Sequence, residues 1–204
     1  IIIGLSKINE LKPEKEQSNF KTCFALLKNK FILSMVIGIF IYVGIEISLS
    51  SGVPILLSNK YGFDIKTWGL LGNAFFFIAI ISGRFFGSII LNWIKPSTFL
   101  KTSAVIGIMG ILMIFFNNQI INIIGIFIAG LGFSNLFPLI FSITVDKLPE
   151  RTNEISGLMV TAIAGGAFIP PIMGLLADYT NVTMGFLIPL LGIFYISYIA
   201  FRKN

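Results

Sequence analysis

TSAVIGIMGILMIFFNNQIINIIGIFIAGLGFSNLFPLIFSITV, residues 102 to 145, contains no Asp, Glu, Lys or Arg. As one α-helix this stretch would be about 66 Å long, roughly twice the hydrocarbon thickness of a bilayer. It must therefore fold back on itself. The polar cluster Asn117, Asn118 and Gln119 is where a turn can sit among headgroups, and it splits the stretch into runs at 99 to 116 and 120 to 145. Working outward, charges and turn residues delimit four more apolar runs, at 31 to 57, 67 to 91, 156 to 177 and 183 to 200. Each is long enough to cross a membrane, some with tilt. Closed β-barrels are the only other spanning solution, but runs such as IIGIFIAGLGF lack the alternation of a barrel strand. The expected fold class is an all-α membrane protein with six transmembrane helices.

The composition agrees: 55% of the 204 residues are hydrophobic and 12% charged, which describes a bilayer solute and not a water-soluble domain. Six crossings return both ends to one side. On that side fall Lys7, Lys12, Lys15, Lys21, Lys28, Lys30, Lys95, Lys101, Lys147, Arg151, Arg202 and Lys203, whereas the opposite loops hold Lys60 and Lys66. The positive-inside rule then places both termini in the cytoplasm; the plasma (inner) membrane is the expected location. Topology thus accounts for the net charge of +6, and no nucleic-acid partner is expected. With no His and one Cys, the chain lacks the usual metal, haem and iron-sulfur ligands. No cofactor and no metal site are expected, and Cys23 reads as a reduced, inert thiol.

Residues 1 to 30 stand apart. Ile1, Ile2, Ile3, Gly4 and Leu5 read as the end of an earlier membrane helix, followed by a cytoplasmic linker with Lys12, Pro13, Glu14, Lys15 and Glu16. Phe20, Phe24 and Leu27 then recur at helical spacing, with Lys21 and Lys28 toward phosphates. This is either a short interfacial helix or the frayed start of the next span. Residues 31 to 204 form the six-helix bundle, and the chain is expected to be the second half of a longer protein.

Two formal charges fall at membrane depth, Glu46 and Arg84. Ionisable residues there cost roughly 2.5 to 3.5 kcal/mol on insertion scales and are kept for function or for pairing. Tyr42 and Ser50 flank Glu46 at i−4 and i+4, giving a polar stripe that must face other helices or a cavity. Glu46 can bind a polar substrate, exchange a proton, or fix helix packing. Asn73 and Arg84 lie within roughly 20° of one helix face. Arg84 stands between Gly83 and Gly87 and can either gate or snorkel to headgroups. From the ends of the runs, Glu46 and Arg84 are expected to sit about 10 Å apart along the membrane normal.

The fourth run contains Asn135, with Pro138 removing a backbone bond nearby. In the fifth, Gly165, Gly166, Pro170 and Pro171 argue against an unbroken straight helix, and broken helices near the midplane are where transporters place substrate sites and hinges. Asn181, Val182 and Thr183 form a glycosylation sequon in a loop too short and too close to the bilayer to be used.

YVGIEISLSSG, GRFFGSIILNWIKP, GFSNLFPLIFS and SGLMVTAIAGGAFIPPIMGLLAD resemble the seventh, eighth, tenth and eleventh helices of the fucose, glucose and galactose symporter branch of the major facilitator superfamily. The resemblance extends over almost all the chain from residue 31. It implies a twelve-helix transporter of two six-helix halves, alternating access, proton-coupled sugar uptake, and an N-terminal half as partner. It places Glu46 among cavity-facing polar residues, at a position where some members carry an amide. It matches Arg84 to the arginine of a glycine-arginine-aromatic motif and Pro138 to the proline of the tenth helix. Asn135 stands where the family pattern has an apolar residue. The principal proton-coupling carboxylates belong to the first half, which this sequence does not contain.

The expected substrate-binding residues are therefore Tyr42, Glu46, Asn73 and Asn135, and the expected gating residues are Arg84, Pro138, Gly165, Gly166, Pro170 and Pro171. A neutral polyol wants many donors and acceptors with an aromatic face, which tyrosine, carboxylate, amides and nearby phenylalanines supply. The alternatives are a carrier of a non-sugar solute and a non-transporting membrane sensor or assembly partner. An enzyme is not expected, since no pair of nucleophile and base is apparent.

Overall fold

A computed structural model of the chain describes residues 20–64, 66 and 70–202. The proposed earlier-helix end at residues 1 to 5 lies outside them. Among the described residues six helical stretches are long and apolar enough to cross a bilayer: Lys30–Tyr61, Leu71–Ile90, Pro96–Ile114, Gln119–Lys147, Pro149–Tyr179 and Val182–Phe201. The fold is that of the expected six-helix all-α membrane bundle.

The helices are α1 Phe20–Leu26, α2 Lys30–Tyr61, α3 Leu70–Ile90, α4 Pro96–Ile114, α5 Gln119–Phe133, α6 Leu136–Lys147, α7 Thr152–Ala162, α8 Gly165–Tyr179, α9 Val182–Gly185 and α10 Leu187–Phe201. The fourth crossing is α5 with α6, the fifth α7 with α8, and the sixth α9 with α10. α1 is a separate short helix packed against α7, not the frayed start of α2. Its Leu26 is buried, while Phe24 is left exposed as on a helix whose apolar stripe meets lipid.

Capping side chains set the ends that composition alone leaves loose. Asn29 accepts from the N–H groups of Phe31 and Ile32 and starts α2. Gly62, at φ 70°, ends it in the left-handed conformation that a glycine adopts without strain. Asn118 accepts from Ile120 and Ile121 and starts α5, so the polar turn expected at 117 to 119 is the α4–α5 corner. Asn181 of the sequon is itself an N-cap, accepting from Met184 N–H at 3.0 Å.

α2 is the central element. It packs on α3, α6, α7, α8 and α10 and is buried over most of its surface, with Leu33, Ile37, Ile47 and Ile55 left exposed. By contrast α3 exposes Phe75, Ile78, Ile81, Phe85 and Phe86, an arrangement suited to lipid or to a further membrane-embedded partner. α4 and α5 form the closest helix pair. A Cβ on Gly110 would overlap the backbone of Ala129, and one on Gly132 would overlap that of Gly107, so small residues permit the backbone approach that membrane helices use in place of hydrophobic driving force. Gly110→Ala should therefore cost about 1 to 3 kcal/mol. A lowered melting temperature in detergent, set against an unchanged one for Gly157→Ala, where nothing lies within 4 Å, would check this.

Both expected helix interruptions occur, each displaced from its prolines toward the N-terminus. In the fifth crossing the ladder tightens to i→i+3 bonds from Ile163 to Val160, Ala164 to Thr161, Gly166 to Ile163 and Ala167 to Ala164. Pro170 and Pro171 lie inside α8. In the fourth crossing Ser134 and Asn135 separate α5 from α6, and Pro138 falls in the first turn of α6, where its missing N–H is tolerated.

Candidate functional site

The site is built around one orphaned carbonyl. In a continuous helix the Ser134 carbonyl would accept from the N–H of residue 138, and Pro138 has none. Arg84 Nε donates to that carbonyl across the helix gap at 3.1 Å. The other end of the guanidinium lies 3.9 Å from Glu46 Oε1, closing an ion pair between α3 and α2. Thus a proline on α6, an arginine on α3 and a carboxylate on α2 form one unit.

Helix ends decide that this pair meets. Glu46 lies about 22 Å below Tyr61 at the end of α2, and Arg84 about 21 Å below Leu70 at the start of α3. The expected offset of about 10 Å is therefore corrected to near-equal depth. α2 continues through Pro54 past residue 57 to Tyr61, and this shift narrows the gap. Arg84 points to groups at its own depth and does not snorkel.

Asn135 completes the stitching. Its Nδ2 donates to the Gly83 carbonyl and to Ser134 Oγ, both at 2.8 Å, and Ser134 Oγ donates to the Leu131 carbonyl at 2.6 Å. Gly83 and Gly87 are small because a Cβ on them would overlap Ser134 and the Asn135 amide respectively. The amide nitrogen of Asn135 is thus committed to holding the α5–α6 break against α3.

Tyr42 lies one turn before Glu46 and is buried. Its ring packs on Phe133 and Phe137, each with centroids 6.1 Å away. Its hydroxyl sits beside the charges of Glu46 and Arg84 yet forms no hydrogen bond of regular geometry. Below the pair is a cavity of about 390 Å³ lined by Arg84, Ser88, Asn135, Pro138 and Ser142 with leucines. Ser142 Oγ donates to Asp146 at 3.3 Å at its lower rim.

The fold brings Tyr42, Glu46, Arg84, Asn135 and Pro138 together. Asn73 is not with them: it lies about 16 Å above Arg84 on α3, with its buried Oδ1 unpartnered. Gly165 and Gly166 lie on the α2–α8 seam, where a Cβ would overlap the Phe40 carbonyl and Ile47 respectively. Pro170 lines a second cavity of about 240 Å³ with Ser51, Gly52 and Asp178, and Pro171 is exposed. Ser134, Phe133 and Phe137 are the site residues that sequence reasoning missed. Ser134 was findable, because the residue four before a mid-helix proline always loses its partner.

Pro138→Ala would return an N–H to the Ser134 carbonyl and compete with Arg84. Unfolding temperature in detergent should hold or rise, since the carbonyl then has a helical donor as well as the guanidinium, and a melting curve beside that of the unsubstituted chain checks it.

Arg84 is 54% exposed and Glu46 20%. Charges at this depth do not face lipid, so the open side of the pair belongs to a water-filled cavity or to further protein. The chain spans about half the length of the curated relatives it matches. It is 30% identical to a Helicobacter pylori (strain ATCC 700392 / 26695) protein provisionally named a glucose/galactose transporter, over 99% of this chain and 50% of that one. It is 28% identical to the L-fucose-proton symporter of Haemophilus influenzae (strain ATCC 51907 / DSM 11121 / KW20 / Rd), over 99% and 49%. Its fold superimposes on the crystal structure of the Escherichia coli fucose:proton symporter FucP (N162A) with a TM-score of 0.88 at 24% identity, covering 100% of this chain and 51% of the other. Residues 5–171 match the Major Facilitator Superfamily, and with that match over most of its length this chain belongs to that family.

Proposed function

We propose that this chain is the C-terminal six-helix half of a secondary active sugar carrier of hexose or fucose type, proton-coupled and working by alternating access. The observation that carries the reading is the Glu46–Arg84 pair at mid-membrane, open on one side and flanked by the hydroxyl of buried Tyr42, which lies beside both charges, and the rings of Phe133 and Phe137. A pyranose presents hydroxyls on its edge and C–H groups on its face, and wants this mixture of acceptor, donor and aromatic surface. The names of the relatives add the sugars and, for the fucose symporters, the proton.

In this reading Glu46 and Tyr42 bind sugar hydroxyls, and Asn73 meets the substrate nearer the outer mouth. Asn135 holds the broken helix in register, a positioning role. Arg84 ties that break to Glu46, so a change at the sugar is felt by α3 and α6 together. The tightened turn before Gly165 and Gly166, with Pro170 and Pro171 beyond, lets the two halves of the fifth crossing tilt during rocking. The missing partner is an N-terminal six-helix half of the same polypeptide, joined through residues 1 to 30. The Lys and Arg distribution supports an orientation with both ends of the chain in the cytoplasm, and a plasma (inner) membrane location belongs to the same reading.

The test is uptake of labelled fucose, glucose and galactose by proteoliposomes holding the complete native polypeptide, with and without an inward proton gradient. Accumulation that collapses with the gradient is expected for at least one of them. Glu46→Gln should weaken sugar affinity at least tenfold or uncouple uptake from the gradient. Flux of another solute that excess hexose leaves unchanged would refute the sugar assignment.

A further inference from the structure

At the end of the bundle where α2 begins and α10 ends, a further cavity of about 290 Å³ opens between α2, α4, α6 and α10. Lys101, Lys147 and Arg202 ring it, Ser97 adds a hydroxyl, and Met35 and Leu100 line its buried floor. Among the described residues none of the three cations is in an ion pair. Two are held in place by aromatic rings instead: Lys147 Nζ lies 4.2 Å from the Phe31 centroid and Lys101 Nζ 5.5 Å from that of Phe201. Ser97 occupies the first turn of α4, whose cap residue Lys95 gives no side-chain hydrogen bond. Pro96 has no N–H and those of Thr98 and Phe99 bond the Lys95 carbonyl, so the Ser97 N–H and the positive end of a 19-residue helix lie beside the cations.

We propose that this cavity binds the phosphate headgroup of an anionic phospholipid, with the acyl chains lying against the adjoining helices. Three cations from three different segments, none in an ion pair among the described residues, converge on one opening, and simple repulsion would spread them unless an anion were shared. The apolar floor and the position at the headgroup level favour a lipid over a free anion. The volume, near the lower end for small-molecule sites at about 300 Å³, admits a headgroup and not a whole lipid. The leaflet on the basic side of a membrane protein is also the one rich in anionic lipids. Because the ligand joins the ends of helices from both the broken fourth crossing and its unbroken neighbours, it would brace that end of the bundle.

The experiment is native mass spectrometry of the complete polypeptide in detergent, titrated with phosphatidylglycerol or with phosphatidylcholine of the same acyl chains. Phosphatidylglycerol should bind at least tenfold more tightly. Lys101→Gln should weaken it about fivefold, as expected for one interfacial charge, and Lys101→Arg should retain it. Lys28→Gln, an exposed lysine outside the cavity, should change it less than twofold. Equal losses for Lys28→Gln and Lys101→Gln would overturn the proposal in favour of diffuse surface attraction. Displacement of the lipid by equimolar inorganic phosphate would overturn it in favour of a free-anion site. Neither readout depends on sugar transport, so the proposed function can fail without this inference, and the reverse.

Discussion

Arg84→Met should abolish gradient-driven uptake by the complete polypeptide, with a loss of 100-fold or more, and should lower its melting temperature clearly. The substitution keeps length and apolar stem but removes two interactions at once. The Ser134 carbonyl, already without a helical partner because of Pro138, loses the donor at 3.1 Å. The Glu46 carboxylate loses its counter-charge at 3.9 Å. An unsatisfied carbonyl costs about 1 to 3 kcal/mol, and breaking a desolvated ion pair by removing one partner costs more than the pair was worth. Because Arg84 is half exposed in this chain, the lower part of that range applies, and about 3 kcal/mol in total corresponds to the 100-fold loss. Arg84→Lys should recover only part of it. The guanidinium reaches the carbonyl through Nε and the carboxylate through a terminal nitrogen, two directions that a single ammonium spans poorly. Glu46→Gln should be milder for stability, since an amide oxygen still faces the guanidinium. Wild-type uptake together with wild-type melting in Arg84→Met would remove the pair from the mechanism.

Gly165→Val should prevent accumulation of folded protein. A Cβ at this position overlaps the carbonyl of Phe40, which belongs to the α2 backbone and cannot rotate aside as a side chain could. α8 would have to move away from α2 at its hinge end. The neighbouring contacts, Ile169 on Gly44 and Met173 on Gly52, would open with it. Overpacking costs 1 to 3 kcal/mol where side chains can adjust, and about 4 kcal/mol or more is expected where backbone meets backbone. Gly174→Ala, on the same helix with nothing within 4 Å, is the contrast: it should be neutral or stabilising by up to about 1 kcal/mol through helix propensity. Monodisperse yield after detergent extraction separates the two variants, and comparable yields would mean that α8 does not rest on α2 at this glycine.

Much of this architecture was legible in the chain because its causes are local. Run length against bilayer thickness gave six crossings, and the turn at 117 to 119 followed from one uncharged stretch being too long to cross once. Pro138 and the pair Pro170–Pro171 marked the two crossings that are broken. The break at Ser134–Asn135 falls upstream of Pro138 because a proline removes the bond to the carbonyl four residues before it and is itself at home in a first turn, whereas that at Ile163–Ala164 lies six or more residues before Pro170, next to Gly165 and Gly166. Glu46 and Arg84 stood out as costly charges from the sequence alone.

What depended on tertiary structure was which groups meet. A helical wheel gives the face of a residue but not its depth relative to a residue on another helix. α2 runs four residues beyond its expected end, to Tyr61, and in the packed bundle Glu46 and Arg84 come level. Nor could spacing assign Arg84 to the carbonyl that Pro138 orphans or commit Asn135 to Gly83. Hydrophobic thickness and proline chemistry act within a single segment and are written in it, whereas ion pairs and shared carbonyls need two segments at one depth, and only the packing of α2, α3 and the broken fourth crossing supplies that.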